Sequence, residues 1–146
     1  MTVEVQDKVQ QFADYITILR QKFTDQEAEF IQKTQCMSIQ QMKILLIIAM
    51  QQPCTMGEIA KKIPMLSLSS VTVIVDKLVK QDLVERSRDD KDRRVVYVKF
   101  TEEGQKLYQV YQQCVHNLSE KLLSRLSDEE QEVAIRIYKK LAEVCI

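Results

Sequence analysis

The sequence predicts a mainly α-helical protein with one small β-hairpin. Only two glycines and two prolines occur among 146 residues, so the chain is poor in the residues that frequent tight turns require. Three helix-start signatures divide the chain, and a single stretch of alternating apolar side chains, residues 94–100, supplies the β character. The length and a hydrophobic content of 45% fit one domain, residues 1–146, with a substantial core.

Both ends of the chain carry an apolar helical seam. Near the N-terminus the apolar residues recur at alternating steps of four and three, which is the spacing of one packed helix face. The C-terminal segment also carries apolar residues at helical spacing, in steps of four, four and three. We infer a helical dimerisation layer built from residues 1–35 and 105–146. The seam residues are Val5, Val9, Phe12, Ile16, Leu19 and Phe23 in the first segment, and Val133, Ile137, Leu141 and Val144 in the second.

Three capping boxes mark the starts of later helices. In each, a serine or threonine is followed three residues later by glutamate or glutamine, so that two amides of the first helical turn gain side-chain acceptors. The boxes predict a helix after residue 38, a short helix after residue 55 and a last helix after residue 127. They are formed by Ser38 with Gln41, Thr55 with Glu58, and Ser127 with Glu130.

A short helix and a second helix follow each other closely in the middle of the chain. Pro64 ends the first of them, and Ser67 begins the next, which runs to about Gln81 and Asp82. The layout of short helix, tight turn and helix is a helix-turn-helix. Its second helix buries a stripe formed by Val71, Ile74, Val75 and Leu78.

Two β-type segments, Leu83 to Arg88 and Arg94 to Phe100, flank a charged loop, and they predict a hairpin. Thr101 then restarts helix, with Glu102 and Glu103 in the first turn, where the helix dipole favours acidic groups. The complete order of elements describes a winged helix-turn-helix over residues 38–104, flanked by N- and C-terminal dimerisation helices.

Four motifs span the run from the second helix through the hairpin: VT-x-IVDKL, LVER at the hairpin entry, DRR in the wing and F-T-x-x-G at the following helix. This combination shows a resemblance to the MarR family of multiple-antibiotic-resistance regulators. It implies a cytoplasmic homodimer that binds double-stranded DNA at a pseudo-palindromic operator. The implied regulator is a repressor released by a small phenolic or lipophilic effector, or by thiol oxidation in some branches.

The resemblance also implies roles for individual side chains. On the recognition helix, polar groups reach base edges and phosphates, and in the wing Arg94 enters the minor groove. Asp92 orients an arginine, and either Arg86 or Arg94 is available as its partner. The predicted DNA-binding residues are Ser69, Ser70, Thr72 and Lys77 on the helix and Arg88, Lys91, Arg93 and Arg94 in the wing.

Some of these residues have simpler explanations, and two positions depart from the family pattern. Ser67 is interpreted as the N-cap of the recognition helix, and Lys77 and Lys80 are either phosphate contacts or solvated surface lysines. Val73 stands where many family members carry arginine. Valine cannot donate a hydrogen bond to guanine, so the helix has less direct polar readout. Asp82 stands where glycine is common in the family, at a position that is expected to need the left-handed conformation that closes a helix.

Net charge supports DNA binding only locally. The whole chain balances 21 basic against 21 acidic residues, whereas the segment from Lys77 to Lys99 holds eight cations and five acids.

A winged-helix adaptor that binds protein instead of DNA is the competing function. An enzyme is disfavoured, since the chain has one histidine, no glycine-rich phosphate loop and no nucleophile elbow. No metal or cofactor is expected.

Two further sites are considered from the sequence. Cys36 precedes a helix start, where the helix dipole favours the thiolate, and it is the candidate for a redox switch. A small-molecule site has no motif. Candidates to line it, or simply to pack in the core, are Met42, Ile47, Met50, Tyr108 and Tyr111.

Overall fold

A computed structural model describes residues 3–34 and 37–144. Six helices and three strands follow one another in the described residues, and together they form the mainly helical architecture with a small sheet that the sequence predicts. In chain order they are α1 Val3–Thr34, α2 Ile39–Gln51, β1 Cys54–Thr55, α3 Met56–Lys62, α4 Leu68–Lys80, β2 Val84–Arg88, β3 Val96–Phe100, α5 Glu102–Leu123 and α6 Asp128–Val144.

All three predicted capping boxes are confirmed. Ser38 accepts a hydrogen bond from the backbone amide of Gln41, whose side-chain oxygen accepts one from the amide of Ser38. The same reciprocal pair forms at the start of α3 and at the start of α6. These bonds satisfy amides that have no intrahelical acceptor, which fixes where each helix begins.

The core lies inside the winged helix-turn-helix. The predicted stripe of α4 is buried, and it packs with apolar side chains of α2, α3 and the sheet. Complete burial of an aliphatic side chain contributes about 1.5–3 kcal/mol, so this cluster is the main source of stability. Its fully buried members include Ile44, Ile48, Ile59, Val71, Val75, Leu78, Val84 and Val98.

The sheet has three antiparallel strands in the order β1-β3-β2. The hairpin pairs Val84 with Phe100 and Arg88 with Val96. The two-residue strand β1 pairs Cys54 with Val98 on the other edge of β3, and the sequence did not predict it.

The hairpin strands are shorter than predicted. β2 begins at Val84, because the amide of Leu83 still bonds to the carbonyl of Leu78 at the end of α4. β3 begins at Val96 and not at Arg94, because Arg94 and Val95 belong to the turn. The predicted left-handed residue is confirmed, since Asp82 has φ 57°.

The long helices α1 and α5 pack against each other, and both contact α2 of the winged domain. The rings of Phe30 and Tyr111 meet edge to face with centroids 5.6 Å apart, and the Tyr111 hydroxyl donates to Glu27 at 3.3 Å. Burial, together with the nearby Glu27 carboxylate, raises the pKa of Tyr111 to about 12. Within the described ranges, no helix is long and apolar enough to cross a membrane.

Both apolar seams remain largely uncovered. The first four seam residues of α1 are exposed, and only Leu19 and Phe23 are half-buried. On α6 the seam residues before the last are also exposed, and the side chain of Val144 lies outside the described part of the chain. An exposed face of this length is typical of a helix that packs on another molecule.

Candidate nucleic-acid interface

The N-terminus of α4 holds a cluster of three serine hydroxyls. Ser67 is the N-cap, as predicted, and it accepts from the amide of Ser70 at 3.1 Å. Its oxygen also lies 2.9 Å from the hydroxyl of Ser69 and 2.8 Å from that of Ser70. The two predicted contact serines, Ser69 and Ser70, therefore lie in the first turn of the helix. The hydroxyl of each already shares one hydrogen bond with the hydroxyl of Ser67.

Thr72 and Lys77 lie further along the same helix. The Thr72 hydroxyl donates to the carbonyl of Leu68 at 2.9 Å, so its proton is engaged within the helix. Lys77 is exposed near the C-terminal end, where its ammonium group faces solvent. Polar readout by α4 thus depends on hydroxyl lone pairs and on terminal cations rather than on free donors in the middle of the helix.

The tip of the wing is an aspartate-centred turn. The Asp89 carboxylate accepts from the amides of Lys91 at 2.6 Å and Asp92 at 3.0 Å. These two hydrogen bonds lower the pKa of Asp89, and the bond from the Asp92 amide has the larger effect. The amide of Asp89 in turn donates to the carbonyl of Val95 at 3.0 Å. Asp89 therefore organises the loop and is not a stray negative charge beside DNA.

Arg94 and Asp92 form a two-pronged ion pair at the wing tip. The Nε and one terminal nitrogen of Arg94 donate to the two oxygens of Asp92, each at 3.1 Å, and the backbone amide of Arg94 adds a bond at 3.0 Å. These bonds lower the pKa of Asp92. The Arg94 side chain nevertheless stays 91% exposed. Its guanidinium is thus both held in direction and open to solvent.

Arg86 does not pair with Asp92, and this corrects one of the two partners considered from the sequence. Arg86 donates instead to Asp76 on α4, forming an ion pair between the recognition helix and the wing. Arg86 points across to the helix because it sits opposite Val98 in the middle of the hairpin, away from the tip. This pairing fixes the wing relative to α4, so Arg86 orients the wing from its stem.

Three wing cations remain available for an anionic partner. Lys99 pairs with Glu85 at 2.9 Å across the hairpin, so its ammonium group already has an acidic partner. Among the described residues, the side chains of Arg88, Lys91 and Arg93 form no ion pair, and all three are exposed. Most wing acids are thus engaged by specific partners, which leaves a cationic edge beside α4.

The base of the wing depends on a close approach between backbones. The Thr101 hydroxyl donates to the carbonyl of Asp82, and the amide of Thr101 bonds to the carbonyl of Leu83 at 3.2 Å. Gly104 in the first turn of α5 lies against this segment, where an added Cβ would stand 1.8 Å from the Leu83 oxygen. The family motif contained this glycine, but its contact could be found only from the fold.

The residues considered for a small-molecule site separate into two groups. Met42, Tyr108 and Tyr111 line an apolar cavity between α1, α2 and α5, whose volume is only about 10 Å³. Ile47 is half-buried and packs against the core, whereas Met50 is exposed. The cavity holds no more than about one water molecule, so its walls are core packing in this conformation.

The redox candidate Cys36 lies outside the described residues. Among the described cysteines, Cys54 is fully buried, and burial raises the pKa of its thiol. Cys114 is half-buried against the core cluster. The thiol of Cys54 is therefore poorly suited to react, because the thiolate is the reactive form.

Comparison with known sequences identifies relatives. The sequence model of the MarR family matches residues 37–96. YwhA of Bacillus subtilis strain 168, named an uncharacterized HTH-type transcriptional regulator, is 32% identical over 100 residues, which cover 68% of this chain and 71% of YwhA.

Comparison with solved structures gives the same fold over almost the whole chain. A MarR family protein from Bacillus stearothermophilus superposes with a TM-score of 0.80 at 24% identity, covering 99% of this chain and 98% of that one. FabT of Streptococcus pneumoniae, solved in complex with DNA, superposes with a TM-score of 0.73 at 24% identity, covering 94% and 96%. Both likenesses establish the fold.

Proposed function

Because this chain belongs to the MarR family of transcriptional regulators, we propose that it binds a pseudo-palindromic operator as a homodimer and represses transcription there. The observation that carries the proposal is the cationic edge formed by α4 and the wing. Arg88, Lys91 and Arg93 are unpaired within the described residues, and Arg94 is exposed on its Asp92 support. Unpaired cations beside a protruding helix suit phosphates on both sides of a major groove.

The arrangement assigns different work to the two parts of the interface. Ser69, Ser70 and Thr72 lie on the helix that enters the major groove in this fold, and Lys77, exposed near the C-terminal end of that helix, is proposed to contact a phosphate. The wing reaches the adjacent minor groove, where Arg94 meets the concentrated negative potential. FabT, a fold relative, was solved with DNA bound, which supports the same use of the winged domain here.

The homodimer is supported by the uncovered seams on α1 and α6. Val9, Phe12 and Ile16 on α1 and Ile137 on α6 are each about half exposed. If these faces pack against the same faces of a second copy of the chain, apolar surface is removed from water. The resulting dimer can place two winged domains on one duplex. The proposed dimer acts on DNA without a catalytic step, and its place of action is the cytoplasm.

An effector of the phenolic or lipophilic kind is proposed to act by parting helices. The apolar cavity beside Tyr108 and Tyr111 is too small for such a molecule, so binding there requires α1 or α5 to move. Both helices contact the winged domain. Their movement would change the separation of the two wings in a dimer and thereby release the operator.

The proposal is tested by selection of DNA. Genomic fragments are incubated with the wild-type chain, retained fragments are sequenced, and binding of the best fragment is measured at several salt concentrations. We expect a motif with dyad symmetry, two chains per duplex and affinity that falls steeply with salt. Failure to retain any duplex would contradict DNA binding and favour a protein-binding adaptor.

Asp92→Ala separates orientation of Arg94 from net charge. Removing a negative charge should by itself tighten DNA binding, but loss of the support for Arg94 should weaken it by about two- to fivefold. Asp90→Ala is the matched control. Asp90 is exposed and lies in the same loop, and its substitution changes the net charge by the same amount. Fluorescence anisotropy with the selected duplex measures both. Equal tightening by the two variants would show that Asp92 has no orienting role.

A further inference from the structure

The recognition helix has a well-defined outward stripe. Its inner face is the buried set described above, and successive residues of a helix rotate by about 100°. The positions that point most directly away from that face are therefore 69, 73, 76 and 80. They are occupied by Ser69, Val73, Asp76 and Lys80.

The polar groups around the middle of this stripe already have partners. The hydroxyl of Ser69 is bonded to that of Ser67, and the hydroxyl proton of Thr72 is used by the Leu68 carbonyl. The Asp76 carboxylate accepts from Arg86 of the wing. On either side of the centre of the outward face, the Thr72 hydroxyl proton and the Asp76 carboxylate are therefore already engaged within the chain.

Val73 occupies that centre. Its side chain is 55% exposed, although valine is an apolar residue with below-average helix propensity. A β-branched side chain in a helix is almost confined to one χ1 rotamer, so the two methyl groups of Val73 are held in a fixed place. Lys77 lies one turn later and is exposed, which gives this rigid apolar group a cationic neighbour for phosphates.

The major groove offers one apolar group to such a side chain. Each base pair presents hydrogen-bonding groups there, but only thymine adds a methyl group, at C5. We propose that Val73 determines operator specificity by packing against the 5-methyl group of a thymine in each half-site. This inference rests on the proposed DNA binding and adds to it the identity of one base and the atom that is read.

The inference is tested by replacing thymine with uracil, which removes only the 5-methyl group and keeps the pairing edge. Each thymine of the selected operator is replaced in turn, and the dissociation constant is measured for the wild type, Val73→Ala and Val79→Ala. Val79 is the matched control, because it is a partly exposed valine on the same helix that lies off the outward stripe.

For the wild type we expect one thymine per half-site at which uracil weakens binding about fourfold, the effect of one buried methyl-sized group. Val73→Ala should bind the thymine and uracil duplexes equally, whereas Val79→Ala should keep the wild-type preference. Absence of any uracil effect, or the same effect in Val73→Ala, would overturn the inference while leaving DNA binding intact. Absence of duplex binding by the wild type would instead contradict the proposed function.

Discussion

Arg94→Ala is expected to weaken binding of the selected duplex by about ten- to a hundredfold, the loss typical of one specific arginine contact. The guanidinium is 91% exposed and held by Asp92, so it is arranged for an external anion and contributes nothing to the core. The slope of log affinity against log salt should fall by about one unit for each wing, since one fewer counterion is released. Anisotropy titrations at four or more salt concentrations measure both quantities.

Arg125→Ala is the control for this prediction. Arg125 is exposed beyond the end of α5, far in sequence from the wing and α4, and its removal changes the net charge by the same amount. We expect it to leave both the affinity and the salt slope nearly unchanged. If the two variants behave alike, Arg94 acts only through overall charge and the proposed minor-groove contact is wrong.

Gly104→Ala is expected to lower the free energy of unfolding by about 2–4 kcal/mol, in the range caused by severe overpacking. The new Cβ would stand 1.8 Å from the Leu83 oxygen and 2.9 Å from the Leu83 carbonyl carbon. Backbone atoms cannot move aside by changing rotamer, so α5 and the base of the wing must separate. Urea unfolding followed by circular dichroism measures the loss.

Gly57→Ala provides the matched comparison. Gly57 lies in α3, and an added Cβ there meets no atom within 4 Å. The same substitution should therefore be neutral or stabilise the fold by up to about 1 kcal/mol, because alanine loses less backbone entropy in a helix. Similar destabilisation by both substitutions would mean that the contact at Gly104 does not decide its cost.

The local features of the fold were predictable from the sequence because their causes lie within a few residues. A capping box needs only Ser38 and Gln41, or Thr55 and Glu58, and both boxes form as predicted. Asp82 closes α4 with φ 57°, since its position after the last helical turn demands a left-handed residue.

Features that depend on distant parts of the chain were not predictable in this way. Strand β1 exists because Cys54 meets Val98, and the contact of Gly104 exists because α5 folds back onto Leu83. The partner of Arg86 followed from the hairpin register, which carries its side chain to Asp76. The spacing of charged residues in the sequence left Asp92 with two possible arginine partners. In the structure, the turn held by the Asp89 carboxylate brings Arg94 next to Asp92.

Hydroxyl-radical footprinting of the selected operator tests dyad-symmetric binding through α4 and the wing, because it shows where and with what symmetry the chain lies on DNA. We expect two dyad-related protected zones separated by one helical turn, about 10–10.5 base pairs, or a multiple of it. We also expect flanking minor-groove protection that disappears in Arg94→Ala. A single zone without dyad symmetry, or flanking protection that persists in Arg94→Ala, would contradict this mode of binding.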